Sequence, residues 1–365
     1  MAGFRNVFQS IWSDSADRRP LTALLSVLSR PYAAAAGLRN RLYEKGMLAQ
    51  HRLPCRVVSI GNLTVGGTGK TPFVILLAGI LKKKGFRPCV LSRGYGSRQS
   101  SAVQIVSDGD LIRVRYPEAG DEPLLIARSL RGIPVIAGAD RVRTGREAID
   151  RFGADLLILD DAFQHRRLHR DVDIVLVDAG RPFGNGFLLP RGPLREPVDA
   201  LRRADMVVRI GRPGEKGYGA GNAASRHFPP DVFSGRREPL DVLSGASGSA
   251  EPLEWLRNRR IAAFAGIASP ETFRGMLEAL QAKVVRFLPF PDHHRYRTGD
   301  VARIGREAEK AQAEAVVTTE KDGVRLEAFP QFLSALKQLR IAIAISPSEA
   351  PFVEALMGRL QREGR

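Results

Sequence analysis

The stretch between Cys55 and Gly85 constrains this chain more than any other. Residues 57–60 are a short β-branched run, residues 61–69 are rich in glycine, and residues 72–81 are apolar at helical spacing before Lys82, Lys83, Lys84 and Gly85 end them. A strand that feeds a glycine loop and then a helix predicts a parallel α/β sheet. Within the loop stands TVGGTGKT: Thr64, Val65, Gly66, Gly67, Thr68, Gly69, Lys70 and Thr71. Gly66, Gly67 and Gly69 let backbone N–H groups turn inward on a phosphate, helped by the helix N-terminus behind them. Lys70 is placed to reach the β- and γ-phosphates of ATP, and Thr71 to offer its hydroxyl to Mg2+. The strict pattern G-x-x-x-x-G-K-[ST] fails at its first position, where Thr64 stands.

A second element of a nucleotide site follows about 90 residues later. Residues 156–159 are an apolar strand ending in Asp160 and Asp161, where a parallel strand presents a metal-binding carboxylate. Two acids there are costly unless a cation or donors compensate them. Further strand-like runs at 90–92, 103–106, 135–137, 174–177 and 206–210 alternate with helical stretches such as 122–130 and 141–152. The Gly-rich and charged run RPGEKGYGAGNAASR after Gly211 marks a surface loop or boundary. Beyond Arg259, strands at 261–266, 284–288, 315–319 and 341–345 with helices between them predict a second α/β unit. The expectation is an α/β protein. It has a P-loop NTPase-like, mainly parallel sheet with covering helices over 51–225 and a smaller C-terminal α/β domain over 226–365.

Residues 1–50 are expected to form an N-terminal membrane-associating segment. The run LTALLSVLSRPYAAAAGL is apolar but interrupted by Arg30 and Pro31, which makes it a poor membrane span. Asp14 and Asp17 precede it, against a signal peptide. A helix with Leu24, Leu25 and Leu28 on one side, followed by Arg39, Arg41, Lys45 and Arg52, suits an anionic membrane interface or the protein's own core. The formal charge of +17 on 365 residues attracts polyanions without choosing among nucleic acid, acidic lipid and phosphorylated substrate. Two cysteines, Cys55 and Cys89, are too few for a disulfide framework and fit a reducing cytoplasm.

Several longer motifs carry a family resemblance. SIGNLTVGGTGKTP, LSRGYG, GDEP, ILDDAFQH, PFGNGFLLPRGPLREP, FPDHHRY and TTEKDGVRL span residues 59–326. Together they resemble the tetraacyldisaccharide 4'-kinase family of lipid A biosynthesis, which also writes its loop with the departure at Thr64. The resemblance implies transfer of the ATP γ-phosphoryl group to the 4'-hydroxyl of a tetraacylated glucosamine disaccharide 1-phosphate. The place implied is the cytoplasmic face of the bacterial inner membrane. ATP and Mg2+ are the implied cofactors. The implied partners are the glycolipid substrate and an anionic membrane surface, with no nucleic acid and no obligate protein partner.

It also implies roles for single residues. Lys70 and Arg141, in GADR, would neutralise the transferred phosphoryl group. Asp121 in GDEP matches the family's catalytic aspartate, and His293 in PDHH its pairing histidine. Their separation in sequence predicts that domain closure assembles the pair. Thr71, Asp160, Asp161 and Glu196 are the candidate metal contacts. From the residues alone, Asp121 also suits a helix N-cap, His294 competes with its neighbour, and Arg195 and Glu196 suit an ion pair. Arg93 and Tyr95 either touch a ligand or shape a turn. His165 and His169 at i, i+4 suggest zinc on a helix, but no cysteine joins them.

Two rival functions are weaker. Partitioning ATPases commonly carry an extra loop lysine where Val65 stands, and no N-K-x-D guanine motif occurs. A nucleic-acid binder is suggested by the charge, but aromatic content is 7% and no known binding module is visible.

Overall fold

A computed structural model describes residues 12, 19–94, 103–211, 228–229, 231–245 and 248–361. Asp14, Asp17, Tyr95 and the whole of the glycine-rich run after Gly211 lie outside the described residues. In chain order the elements begin with α1 (Arg19–Glu44), β1 (Arg56–Gly61), α2 (Lys70–Lys83), β2 (Pro88–Ser92) and β3 (Gln104–Ser107). Next come α3 (Asp121–Ser129), β4 (Val135–Ala137), α4 (Arg141–Phe152), β5 (Leu156–Leu159), β6 (Val172–Asp178) and β7 (Met206–Gly211). Then follow β8 (Asp231–Ser244), β9 (Ala250–Glu251), β10 (Arg260–Ala265), α5 (Pro270–Ala279), β11 (Lys283–Pro289) and α6 (Thr298–Lys310). The chain closes with β12 (Ala315–Thr319), α7 (Glu320–Arg325), α8 (Pro330–Ala335), β13 (Leu336–Ser346) and α9 (Ala350–Gln361).

These elements fall into two compact units. Described residues of Met1–Leu91, Asp140–Arg237 and Ile343–Arg365 form the first, and those of Ser92–Ala139 and Glu238–Ala342 the second. The units are therefore interleaved, whereas the spans expected from the sequence were consecutive. The segment after β2 leaves the first unit and the chain returns to it at Asp140.

In the first unit, β8, β7, β6, β1, β5 and β2 lie side by side in that order, all parallel. A strand in the middle of a parallel array is buried on both faces, so its residues are apolar without alternation. β5 illustrates this: Leu156, Leu157, Ile158 and Leu159 are all buried. β1 lies between β5 and β6, with Ser59 in register with both Leu159 and Asp173. This neighbourhood brings the loop after β1 beside the end of β5, where α/β sheets place their ligands. α2 covers the sheet through Phe73, Val74, Leu77, Ala78 and Leu81, and the Phe73 ring meets Phe352 of α9 edge to face at 5.8 Å.

The second unit holds a parallel array, β11, β10, β12 and β13, and an antiparallel pair, β3 with β4. Its aromatic core centres on Phe264, whose ring lies 5.6 Å from Tyr296 and 6.2 Å from Phe290.

α1 runs unbroken through Arg30 and Pro31. Among the described residues it supplies, over Leu21–Glu44, the one helix long and apolar enough to cross a membrane. One face docks on the first unit. Ser29 Oγ donates to the Leu188 carbonyl at 3.0 Å, Tyr32 donates to the Arg195 carbonyl at 2.9 Å, and Arg166 donates to the Asn40 carbonyl at 3.1 Å. The other face is open, with Leu24, Val27, Leu28 and Leu38 about half exposed or more. The sequence reading put Leu25 on one side with Leu24 and Leu28, but the structure separates it from them. It turns inward and is buried, because a step of one residue rotates the helix by about 100°.

Candidate active site

The first unit carries the phosphate loop. Gly66 and Gly69 have φ of +134° and +87°, conformations that a side chain resists. Gly69 caps α2 without a side-chain acceptor, which leaves the first N–H groups of the helix open to an anion. The loop is tied at its outer side: Val65 N–H donates to the Pro193 carbonyl at 2.7 Å, and Arg237 donates to the Gly67 carbonyl at 2.9 Å. The Thr68 hydroxyl is buried and has no partner among the described residues. That orphaned hydroxyl and the uncapped helix start fit a phosphate chain.

Lys70 sits at the first position of α2, with Nζ 3.2 Å from Asn62 Oδ1 and 3.7 Å from Asp161 Oδ1. Asp161 takes a left-handed backbone, φ +49°, and Arg195 NH1 donates to both its oxygens at 2.8 and 3.0 Å. Burial pushes its carboxyl upward, but Lys70, Arg195 and Arg141 outweigh this and hold it below the ordinary range. Asp160 is buried at the end of β5, and its carbonyl accepts from Arg141 NH2 at 3.2 Å. Arg141 is itself buried at the start of α4, which Asp140 caps by accepting from the Val142 and Arg143 N–H groups. Arg141, Asp160, Asp161 and Lys70 thus converge as the sequence predicts.

Glu196 lies differently from its expected place as a metal contact. It is buried, with Arg203 at 2.7 Å and Arg39 of α1 at 3.6 Å, so its contacts are those of an ion pair. Among the described residues no three His, Cys, Asp or Glu side chains gather as a metal cage. Mg2+ does not require one, since it commonly uses one or two carboxylates with substrate phosphates and waters. Asp160 and Asp161 suit that donor set, with Asp161 3.7 Å from Lys70, the residue before Thr71. The zinc alternative finds no support: residues 165–169 form turns and not a helix. Burial, Arg141 and Arg170 bring His165 down to about 4, which keeps it neutral.

The second unit carries the other candidate residues. Gly120 caps α3, and Asp121 is the first residue inside the helix, so the cap alternative for Asp121 fails. Its side chain is 3% exposed. Arg325 Nε donates to Asp121 Oδ2 at 2.6 Å, and His293 Nδ1 stands 2.9 Å from the same oxygen. Burial raises the carboxyl, yet the His293 contact, Lys321 and Arg325 together drive it well below the usual range. Asp121 is therefore ionised. His294 faces elsewhere, with Nε2 3.0 Å from Asp300 at the start of α6. The Asp121 and His293 pair is complete within one compact unit, which corrects the expectation that domain closure assembles it. The segment 92–139 brings Asp121 into the same unit as 238–342.

α7, which the sequence reading left without a role, surrounds this pair. Lys321 Nζ lies 2.8 Å from Glu122 Oε1, and Arg325 NH1 donates to the Gly266 carbonyl at 2.6 Å and to Asp322 at 3.0 Å. The available signal was TTEKDGVRL itself, whose two cations are spaced i, i+4 and so share a helix face.

A parallel α/β sheet with a glycine loop, a lysine, a hydroxyl and strand-end carboxylates defines a nucleotide-dependent phosphotransferase. The family model described as tetraacyldisaccharide-1-P 4'-kinase (LpxK) matches residues 21–361. The chain belongs to that family. A tetraacyldisaccharide 4'-kinase of Syntrophus aciditrophicus is 48% identical, covering 97% of this chain and 98% of the relative. One from Desulfatibacillum aliphaticivorans is 41% identical over 93% of each. Among solved structures, that of "apo" form LpxK from Aquifex aeolicus in complex with ATP is similar at a TM-score of 0.76. It has 34% identity and covers 93% of this chain and 99% of that one.

Proposed function

We propose that this chain is an ATP-dependent kinase that phosphorylates the 4'-hydroxyl of tetraacyldisaccharide 1-phosphate in lipid A biosynthesis. The family membership supports the reaction, and the residues supply a division of labour for it. The loop 64–71 binds the phosphates of ATP, with Lys70 and Arg141 set against the charge of the transferred group. Thr71, Asp160 and Asp161 would hold Mg2+, which supplies charge neutralisation at the phosphates when bound. Asp121 accepts the proton of the 4'-hydroxyl as its oxygen attacks the γ-phosphorus and the bond to the β-phosphate oxygen breaks, leaving ADP. His293 orients Asp121.

The single observation that carries this reading is the 2.9 Å contact between His293 Nδ1 and an ionised Asp121. A regulatory ATPase needs only to position water; a kinase needs a base for an alcohol. The exposed apolar stripe of α1 supports a peripheral or monotopic seat on the cytoplasmic face of the inner membrane, where a glycolipid acceptor resides.

Transfer of label from γ-labelled ATP to the acceptor lipid tests the reading directly. Lys70→Ala is expected to lower turnover by about 100-fold or more. Near-normal turnover in that variant would remove the loop from the mechanism.

A further inference from the structure

The kinase reading uses Asp121 and His293 and leaves Lys321 of α7 without a task. Its ammonium lies 2.8 Å from Glu122 Oε1 and makes a long contact of 3.4 Å with His293 Nε2. An ammonium carries only donors. The ring nitrogen that faces it must therefore accept, so Nε2 holds a lone pair and the ring proton sits on Nδ1. Nδ1 is the nitrogen at 2.9 Å from Asp121 Oδ2, and it donates there. Asp292 Oδ2 stands 3.8 Å from Nε2, outside hydrogen-bond range.

We propose that Lys321 is a positioning residue: anchored on Glu122, it donates to His293 Nε2 and so holds the ring in the tautomer that donates from Nδ1 to Asp121, the base for the acceptor proton. The proposal rests on the reading of Asp121 as the base. The charged groups around the ring are Asp121 and Glu122 from α3, Asp292 from the turn before His293, and Lys321 and Arg325 from α7. Without Lys321 the donor that faces Nε2 is lost, and with it the bias of the ring toward donating from Nδ1 to Asp121. Glu122 plays the supporting part, since burial of Lys321 disfavours its charge and Glu122 and Asp121 restore it.

The test measures kcat and KM for ATP of the full-length protein. It compares the wild type with Lys321→Met in a Glu122→Gln background, which avoids stranding a buried carboxylate, and with Lys321→Arg. The double variant is expected to lose about 10- to 100-fold in kcat with KM for ATP within about threefold. Lys321→Arg, which still donates, should recover most of the rate. Long-range 1H–15N correlations on 15N-histidine protein should show His293 protonated on Nδ1 in the wild type. A wild-type rate in the double variant, or a wild-type ring protonated on Nε2, would overturn the proposal. Should the double variant unfold, the tautomer measurement on the wild type decides alone. Asp121→Asn serves as the separate control: full activity there defeats the base assignment, while the NMR result still judges what Lys321 does to the ring.

Discussion

Gly61, at the end of β1, is as constrained as any residue of the phosphate loop it precedes. A Cβ there would stand 2.6 Å from Phe163 Cβ and 2.8 Å from the Phe163 backbone nitrogen, because the turn after Asp161 packs directly onto the strand end. Backbone cannot yield as a flexible side chain does, so Gly61→Ala is expected to cost roughly 2 kcal/mol. Thermal or denaturant unfolding reads the loss, and an unchanged midpoint would mean that the strand end has room to spare. At this scale much of the site was legible. Asp121 and His293 stand 2.9 Å apart, the pairing that their motifs suggest, and Lys70 lies 3.7 Å from Asp161. Glu196 departs from its expected place: it lies between Arg39 and Arg203, far apart in sequence, and one chain read linearly cannot announce such a partner. Lys321 and Arg325 were hidden for the converse reason. Their short charged helix has no apolar period to mark one face as buried, yet Arg325 is 1% exposed.

At the scale of elements, strongly apolar runs declared themselves and mixed ones did not. β1, β5, β6 and β10 lie within a residue or two of their expected bounds, since buried parallel strands are continuous in hydrophobicity. β8 was missed because Gly235, Arg236, Arg237, Glu238 and Pro239 break any alternation, although Asp231–Arg236 pair in register with β7. β13 was foreseen only in its second half, as Lys337, Gln338 and Arg340 dilute its first. α1 raises a functional question. Its inner face is held by Ser29, Tyr32 and Asn40, while Leu24, Val27 and Leu28 stay open to solvent. Replacing these three with serine should therefore weaken sedimentation with acidic phospholipid vesicles while leaving the unfolding temperature near that of the wild type. Undiminished vesicle binding would move the membrane contact to another surface. Each aliphatic side chain is worth about 1.5 to 3 kcal/mol when fully buried, so three lost contacts suffice for a clear change.

For the whole molecule, pH links charge to stability. Glu320 opens α7, and burial, aided by Asp241, lifts its carboxyl from 4.5 to about 7 against the opposing pull of Arg340, Arg128 and the Ile341 N–H. The folded chain then keeps a proton that the unfolded chain releases, so stability falls as pH rises through that window. Glu320→Gln should match the wild type below about pH 4.5 and unfold several degrees higher at about pH 8. Equal unfolding temperatures at both ends would show that the carboxyl is not perturbed. The +17 charge suits a kinase whose acceptor bears a phosphate, and it would suit the acidic lipid surface proposed for this one. The central claim is that this charge, the phosphate loop and the Asp121 pair serve one phosphoryl transfer to a glycolipid. Mass spectrometry of tetraacyldisaccharide 1-phosphate after incubation with the protein, ATP and magnesium tests it most directly. The account predicts a product heavier by a single phosphoryl group carried at the 4' position, with ATP consumed in equal amount. ATP consumption with an unmodified lipid, or a phosphate at another position, would contradict it.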